Sequence, residues 1–232
     1  MPTHDETTAT ASSTAPAQEY AGTTPVMFRT KKPQPTTRNA LMVDLETMDT
    51  GHNAAILTIG ACMFDPLGAD TEESLRETSF YRVISLKDNT NNGRSIGADT
   101  VMWWLGQSQE AQTALLEASQ DSLRGALSAF YNWIATWAPK PTNVWAKDPD
   151  FDVSILQDAF NSLNILWPFA FYEARSVRTC IEDAYPCGEP PRIGVGTAHN
   201  ALDDAIRQAL QIQDAKRRIH SALDALEGYT RP

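Results

Sequence analysis

At 232 residues, with six Trp and eight Phe, the chain is long enough to bury one substantial core. A formal net charge of −10 argues against a protein that coats nucleic acid or anionic membrane through a basic surface, and no apolar run approaches the roughly 18–20 residues that cross a bilayer. Three cysteines (Cys62, Cys180, Cys187) without C-x-x-C spacing suit a reducing cytoplasm and supply no thiolate metal site, and the first residues predict no secretory signal.

Residues 1–37 are rich in Thr, Ala, Ser and Pro and show no apolar periodicity, which predicts a disordered tail. Its basic end, Arg29-Thr30-Lys31-Lys32-Pro33, reads best as a solubilising linker. Residues 38–228 predict one domain. Its first strands are Leu41–Glu46, Ala55–Phe64 and Phe80–Ile84, with a turn at Gly51-His52-Asn53, and short connections of this kind predict an antiparallel meander. A Gly/Asn loop, Asp88–Gly97, leads to a short helix over Asp99–Leu105.

Leu123, Ala126, Leu127, Phe130, Tyr131, Ile134 and Trp137 recur at helical spacing, predicting a helix over Ser122–Trp137 with Asp121 as its cap and Pro139 and Pro141 beyond its end. A short strand (Val144–Ala146), a helix (Phe151–Leu163), a weaker strand (Phe169–Phe171), a short helix (Val177–Tyr185) and a long one (Asn200–Leu226) complete the chain. Three antiparallel strands followed by alternating helices and strands predict an α/β fold, a mixed sheet flanked by helices.

Chemistry concentrates in three places. In Leu41-Met42-Val43-Asp44-Leu45-Glu46-Thr47, the two acids project from the same strand face, ~6–7 Å apart at the backbone. Like charges on a half-buried face are costly unless a positive charge sits between them, and a divalent cation meets that need. A solvated strand end explains a lone pair of this kind equally well, so further acids must decide. Asp148, Asp150 and Asp152 crowd the start of the second long helix, where capping alone explains one or two of them. His199, Asp203 and Asp204 open the last helix; both acids lie off its apolar stripe, and helical geometry does not choose between them.

Asp44-x-Glu46, then Phe151-Asp152, then His199-x4-Asp204 resemble the three motifs of the DEDDh 3′-5′ exonucleases, the proofreading-exonuclease superfamily. The match is closer to the phage-type branch, exodeoxyribonucleases or exoribonucleases. Here the shared stretches include Thr100-Val101-x-Trp103-Trp104-x-x-Gln107-Ser108, Arg178-Thr179 and His199-Asn200-Ala201-Leu202-Asp203-Asp204-Ala205. The resemblance spans roughly Asn39 to Gln213 and implies a ribonuclease-H-like fold. It selects Asp152 over Asp148 and Asp150, and Asp204 over Asp203. One departure stands before the second motif, where many relatives have a Gly- or Asn-containing segment and this chain has Ala146-Lys147-Asp148.

The resemblance further implies two divalent ions, Mg²⁺ or Mn²⁺, held by Asp44, Glu46, Asp152 and Asp204, with His199 as general base. Nucleoside 5′-monophosphates would leave the 3′ ends of single-stranded DNA or RNA, DNA slightly favoured. Candidate substrate contacts are Thr47 at the 3′-hydroxyl, Met48 as a wedge, Trp103 or Trp104 as a base-stacking surface, and Lys147, Arg178 and Arg94 at phosphates. Core packing is the expectation for Trp145 and for at least one of the tryptophan pair. A homodimer is compatible with this reading, a membrane location is not, and the expected compartment is the cytoplasm of a bacterium or phage-infected host. The alternatives are an RNA-directed exoribonuclease or oligoribonuclease and, more remotely, a non-catalytic binding module on the same fold.

Overall fold

The computed structural model describes residues 34–35, 38–114 and 120–230. The predicted tail therefore lies outside the described residues except for Gln34–Pro35 (β1). Then follow β2 (Ala40–Thr47), β3 (Ile56–Phe64), α1 (Glu72–Arg76), β4 (Ser79–Val83), α2 (Leu86–Asn91), α3 (Ala98–Leu105) and α4 (Gln109–Ala114). The second half comprises α5 (Leu123–Ala135), β5 (Trp137–Ala138), β6 (Asn143–Ala146), α6 (Asp152–Ser162), β7 (Ala174–Ser176), α7 (Val177–Ala184) and α8 (Ala201–Thr230).

Five strands form one sheet in the order β4-β3-β2-β6-β7; the β2–β3 and β3–β4 pairs are antiparallel, and β2–β6 and β6–β7 are parallel. This is the expected ribonuclease-H-like arrangement, a meander extended by parallel strands. Among the described residues β1 pairs only with β5, in parallel.

Strand alternation divides β2 between two cores. Leu41, Val43 and Leu45 face the apolar stripes of α5 (Leu127, Phe130, Ile134) and α6 (Ile155, Leu156, Phe160). Ala40 and Met42 face α7 and α8, through Val177, Cys180, Ala205, Ile206 and Ala209. With both faces covered, β2 and β3 read as near-continuous apolar runs. Asp44 and Glu46 continue the even-numbered series, so the packing that buries Met42 also places both carboxylates beneath the start of α8.

Two local features position α8. Asp44 pairs across the sheet with Gly60, and a Cβ built on Gly60 would lie 2.1 Å from the carbonyl carbon of Ala201, so the first turn of α8 rests directly on the β3 backbone. The Asn200 side chain caps that turn by accepting from the Leu202 and Asp203 N–H groups.

The structure corrects three expectations. The weaker strand is Ala174–Ser176, not Phe169–Phe171: Phe169 packs against Trp167, Phe171–Glu173 form a 3-10 turn, and the edge strand carries too little apolar character to announce itself. The Asp88–Gly97 loop begins inside α2, whose buried Asn89 accepts from Ile56 N–H and donates to Ile56 O; a polar residue holding a strand end leaves no apolar period to read. Ser122, not Asp121, caps α5, accepting from Gly125 N–H, whereas Asp121 forms an ion pair with Arg82.

Candidate active site

β6 pairs with β2 only over Ala40–Met42, so β2 runs on past its parallel neighbour. The exposed edge is taken up by α6: Asp152, at its first turn, accepts the Leu45 N–H at 3.1 Å. That bond brings a third acid to Asp44 and Glu46. Asp148 instead forms a half-exposed ion pair with Arg178, at 2.8 Å, and Asp150 is exposed. Among the three acids of this segment, Asp152 is the buried one.

α8 supplies the remainder. Asp203 turns away from the sheet acids: it accepts from Thr197 N–H at 2.8 Å and from Arg76 at 2.6 Å. Gly196, at φ 42, lets the preceding loop pass this carboxylate, because a Cβ there would lie 2.0 Å from Asp203 Oδ2. Asp204 faces inward, accepts from His199 N–H at 3.2 Å and is ion-paired with Arg207. His199 is left-handed, at φ 62, a conformation its backbone bond to Asp204 helps to hold. One ligand atom from each of Glu46, His199 and Asp204 lies within 4.8 Å of the other two. These groups, with Asp44, Asp152 and Lys147, line an open cleft of about 520 Å³.

Burial pushes all three acids on the β2–α6 side upward. Asp44 is held well above the usual carboxylate range by desolvation, then by the charges of Asp152 and Glu46. Desolvation and then Asp152 raise Glu46 to about 8, and desolvation is also the main reason Asp152 is raised to about 7. His199 moves down, because burial and the neighbouring Arg207 and Lys147 disfavour its cation. A cleft of oxygen donors that hold protons until a positive charge arrives suits a hard divalent cation.

Residues 39–215 match the domain family described as 3′-5′ exoribonuclease Rv2179c-like. The chain belongs to that family. It is a 3′-5′ exonuclease. The exodeoxyribonuclease of Enterobacteria phage T4 is 25% identical over 209 residues, covering 79% of this chain and 92% of the phage enzyme. Among solved structures, cell-death related nuclease 4 (CRN-4) aligns with TM-score 0.49 and 16% identity over 77% of this chain and 63% of its own. The nuclease domain of 3′hExo, a DEDDh family member bound to rAMP, gives 0.47 and 12% over 77% and 91%.

In the exonuclease, the residues expected to grip substrate separate into two groups. Trp103 is 45% exposed, with its ring edge-on to His199 at 4.9 Å, and Lys147 and Arg178 line the cleft. Trp104 is buried in the core and donates to Thr47 O, so it offers no face to a base. The Thr47 hydroxyl donates to Asp49 O, and Met48 packs against Leu57 and Trp104 rather than on the cleft wall. Arg94 is not a phosphate ligand: its buried guanidinium donates to Ala54 O and Ile155 O and is ion-paired with Asp158, tying the β2–β3 turn to α6. Trp145 is core, as expected. Sequence reading missed Arg207 and Gln208, which also line the cleft. Their signal was their position three and four residues beyond Asp204, on the same helical face.

The raised carboxyls make stability in chelator pH-dependent. Their folded pKa values exceed the unfolded ones, so the native state retains protons that the unfolded chain has released. This contribution is complete below the ordinary carboxylate range and is lost as pH rises through about 7–8, the values of Asp152 and Glu46. A shift of this size on buried groups amounts to a few kcal/mol, about 5–10 °C in melting temperature for a domain this large. Melts in EDTA should therefore be higher at pH 5.5 than at pH 8.5. Equal melts at both values would mean that the acids are not packed as described.

Proposed function

We propose that the exonuclease removes nucleotides one at a time from unpaired 3′ ends of DNA, releasing nucleoside 5′-monophosphates with the help of two divalent cations. The observation that carries this reading is the convergence of Asp44, Glu46, Asp152 and Asp204 from three separate chain segments on one cleft beside His199. Mg²⁺ or Mn²⁺, when bound, would neutralise the scissile phosphate and acidify the attacking water.

The chain's own residues do the rest. The four carboxylates would hold the cations, and His199, whose cation is disfavoured by burial and by Arg207 and Lys147, takes a proton from the water. Its left-handed backbone sets the imidazole beside Asp204, and the Trp103 ring lies against it in a T-shaped contact, centroids 4.9 Å apart. The exposed face of Trp103 offers a stacking surface for a terminal base, a contact worth ~1–3 kcal/mol that needs an unstacked strand. Lys147 and Arg178 offer positive charge to phosphates at the mouth of the cleft. Arg178 is restrained by Asp148, which is itself held below its ordinary value by that guanidinium.

The family's own description, a 3′-5′ exoribonuclease domain, favours RNA as a second reading. Initial rates on 5′-labelled single-stranded DNA and RNA of one sequence, in Mn²⁺ and in chelator, distinguish the sugars. A ladder that shortens from the 3′ end and disappears in chelator is the expected result; metal-independent cleavage would overturn the mechanism.

His199→Asn tests the base. Asparagine tolerates the left-handed backbone, so the fold should persist. Turnover should fall by about 10²–10⁴-fold, while the rise in melting temperature on adding Mn²⁺ stays near that of the wild type. Loss of both would make His199 a ligand instead.

A further inference from the structure

Gln208 lies on α8 one turn beyond Asp204, is 5% exposed, and donates from Nε2 to Asp44 Oδ1 at 2.7 Å. Its other amide atom, Oε1, is buried without a hydrogen-bond partner among the described residues. A buried unpaired amide oxygen is destabilising, so a side chain selected for packing alone would be hydrocarbon, as at Ala205 and Ala209 on the same helix. The amide is therefore retained for its donor. Once Asp44 is ionised to meet a cation, this is the orientation it needs, because the carboxylate then only accepts and turning the amide over would set Oε1 against it.

We infer that Gln208 is a positioning residue for the metal site: its N–H bond fixes the Asp44 carboxylate through Oδ1 and would leave Oδ2 available to a cation. The inference rests on the proposed assignment of Asp44 as a metal ligand. One N–H bond aims a ligand that also sits beside Glu46 and Asp152 in a desolvated pocket. The bond further links α8 to β2 at the point where Asp204 must meet Asp44. Gln208 thus couples ligands from two elements without being one of them. The same bond opposes the effects of burial and like charge on Asp44, in the direction that favours the ionised ligand.

The test is Mn²⁺ binding by the full chain, followed by calorimetry, with Gln208→Met and Gln208→Leu beside the wild type. Both replacements keep the volume and remove the donor. Mn²⁺ affinity should fall about 10–100-fold, melting in EDTA should match or exceed that of the wild type, and cleavage should recover to within a few-fold when Mn²⁺ is in excess. Wild-type affinity in both variants would overturn the inference while leaving the nuclease site intact. A large drop in the EDTA melt of both variants would also overturn it, by making Gln208 a packing residue. Failure of the wild type to bind Mn²⁺ would remove the underlying site assignment, a result distinct from either of these.

Discussion

Asp44→Asn should abolish exonuclease activity, by on the order of 10³-fold or more, and should raise the melting temperature of the metal-free protein. Both effects follow from one location. Asp44 lies on the buried face of β2 between Glu46 and Asp152, and desolvation with two like-charged neighbours opposes its ionisation. Asparagine keeps the shape and still accepts the Gln208 N–H, so the α8–β2 contact survives. What disappears is a charge that the empty fold tolerates poorly and a cation needs. At pH 8 in EDTA the variant should melt several degrees above the wild type, whereas at pH 5.5, where the acids carry protons, the difference should shrink. Rates on a 5′-labelled oligonucleotide, measured beside these melts, check both halves. Near-wild-type activity would place the chemistry elsewhere, and a lower melt at pH 8 would make Asp44 a structural residue.

That opposition between stability and function explains which parts of the molecule were legible in sequence. Apolar runs announced β2 and β3, and the three- and four-residue spacing announced α5, α6 and α8, because burial on a regular element leaves a period. The site was visible for the opposite reason: Asp44 and Glu46 interrupt an apolar strand, a local inconsistency that a purely structural strand would not keep. Spacing alone did not choose Asp152 from its neighbours, or Asp204 from Asp203. Asp152 is selected by a Leu45 N–H left free where β6 stops, and Asp203 is drawn away by Arg76 and the Thr197 N–H. Both are tertiary facts. The same holds for Arg94, whose charge suggested phosphate but whose partners are carbonyls of a turn and a helix, and for Trp104, indistinguishable from Trp103 until one is buried and the other exposed.

Gly60→Ala should be among the most damaging substitutions outside the acid cluster. The new methyl would stand 2.1 Å from Ala201 C, 2.2 Å from Leu202 N and 2.4 Å from Ala201 O, all backbone atoms of the first turn of α8. Neither side can yield easily. Gly60 is paired to Asp44 on one flank and Tyr81 on the other, and α8 is fixed by its Asn200 cap and by the Asp203–Arg76 ion pair. The helix must lift off the sheet, at a cost of about 3 kcal/mol, and it carries Asp204 away from Asp44 as it does so. Misplacement of ~1 Å in a catalytic constellation costs about 10²-fold, so activity per folded molecule should fall even at temperatures where the variant remains native. Gly51→Ala is the control: its Cβ would meet only Asn53 Oδ1, at 3.9 Å, and it should melt within about 0.5 kcal/mol of the wild type. Denaturant melts of the two variants, with rates measured well below the transition, separate the effects. If Gly60→Ala folds and turns over like Gly51→Ala, α8 does not rest on β3 as described, and the helix that delivers His199 and Asp204 must approach the sheet by another path.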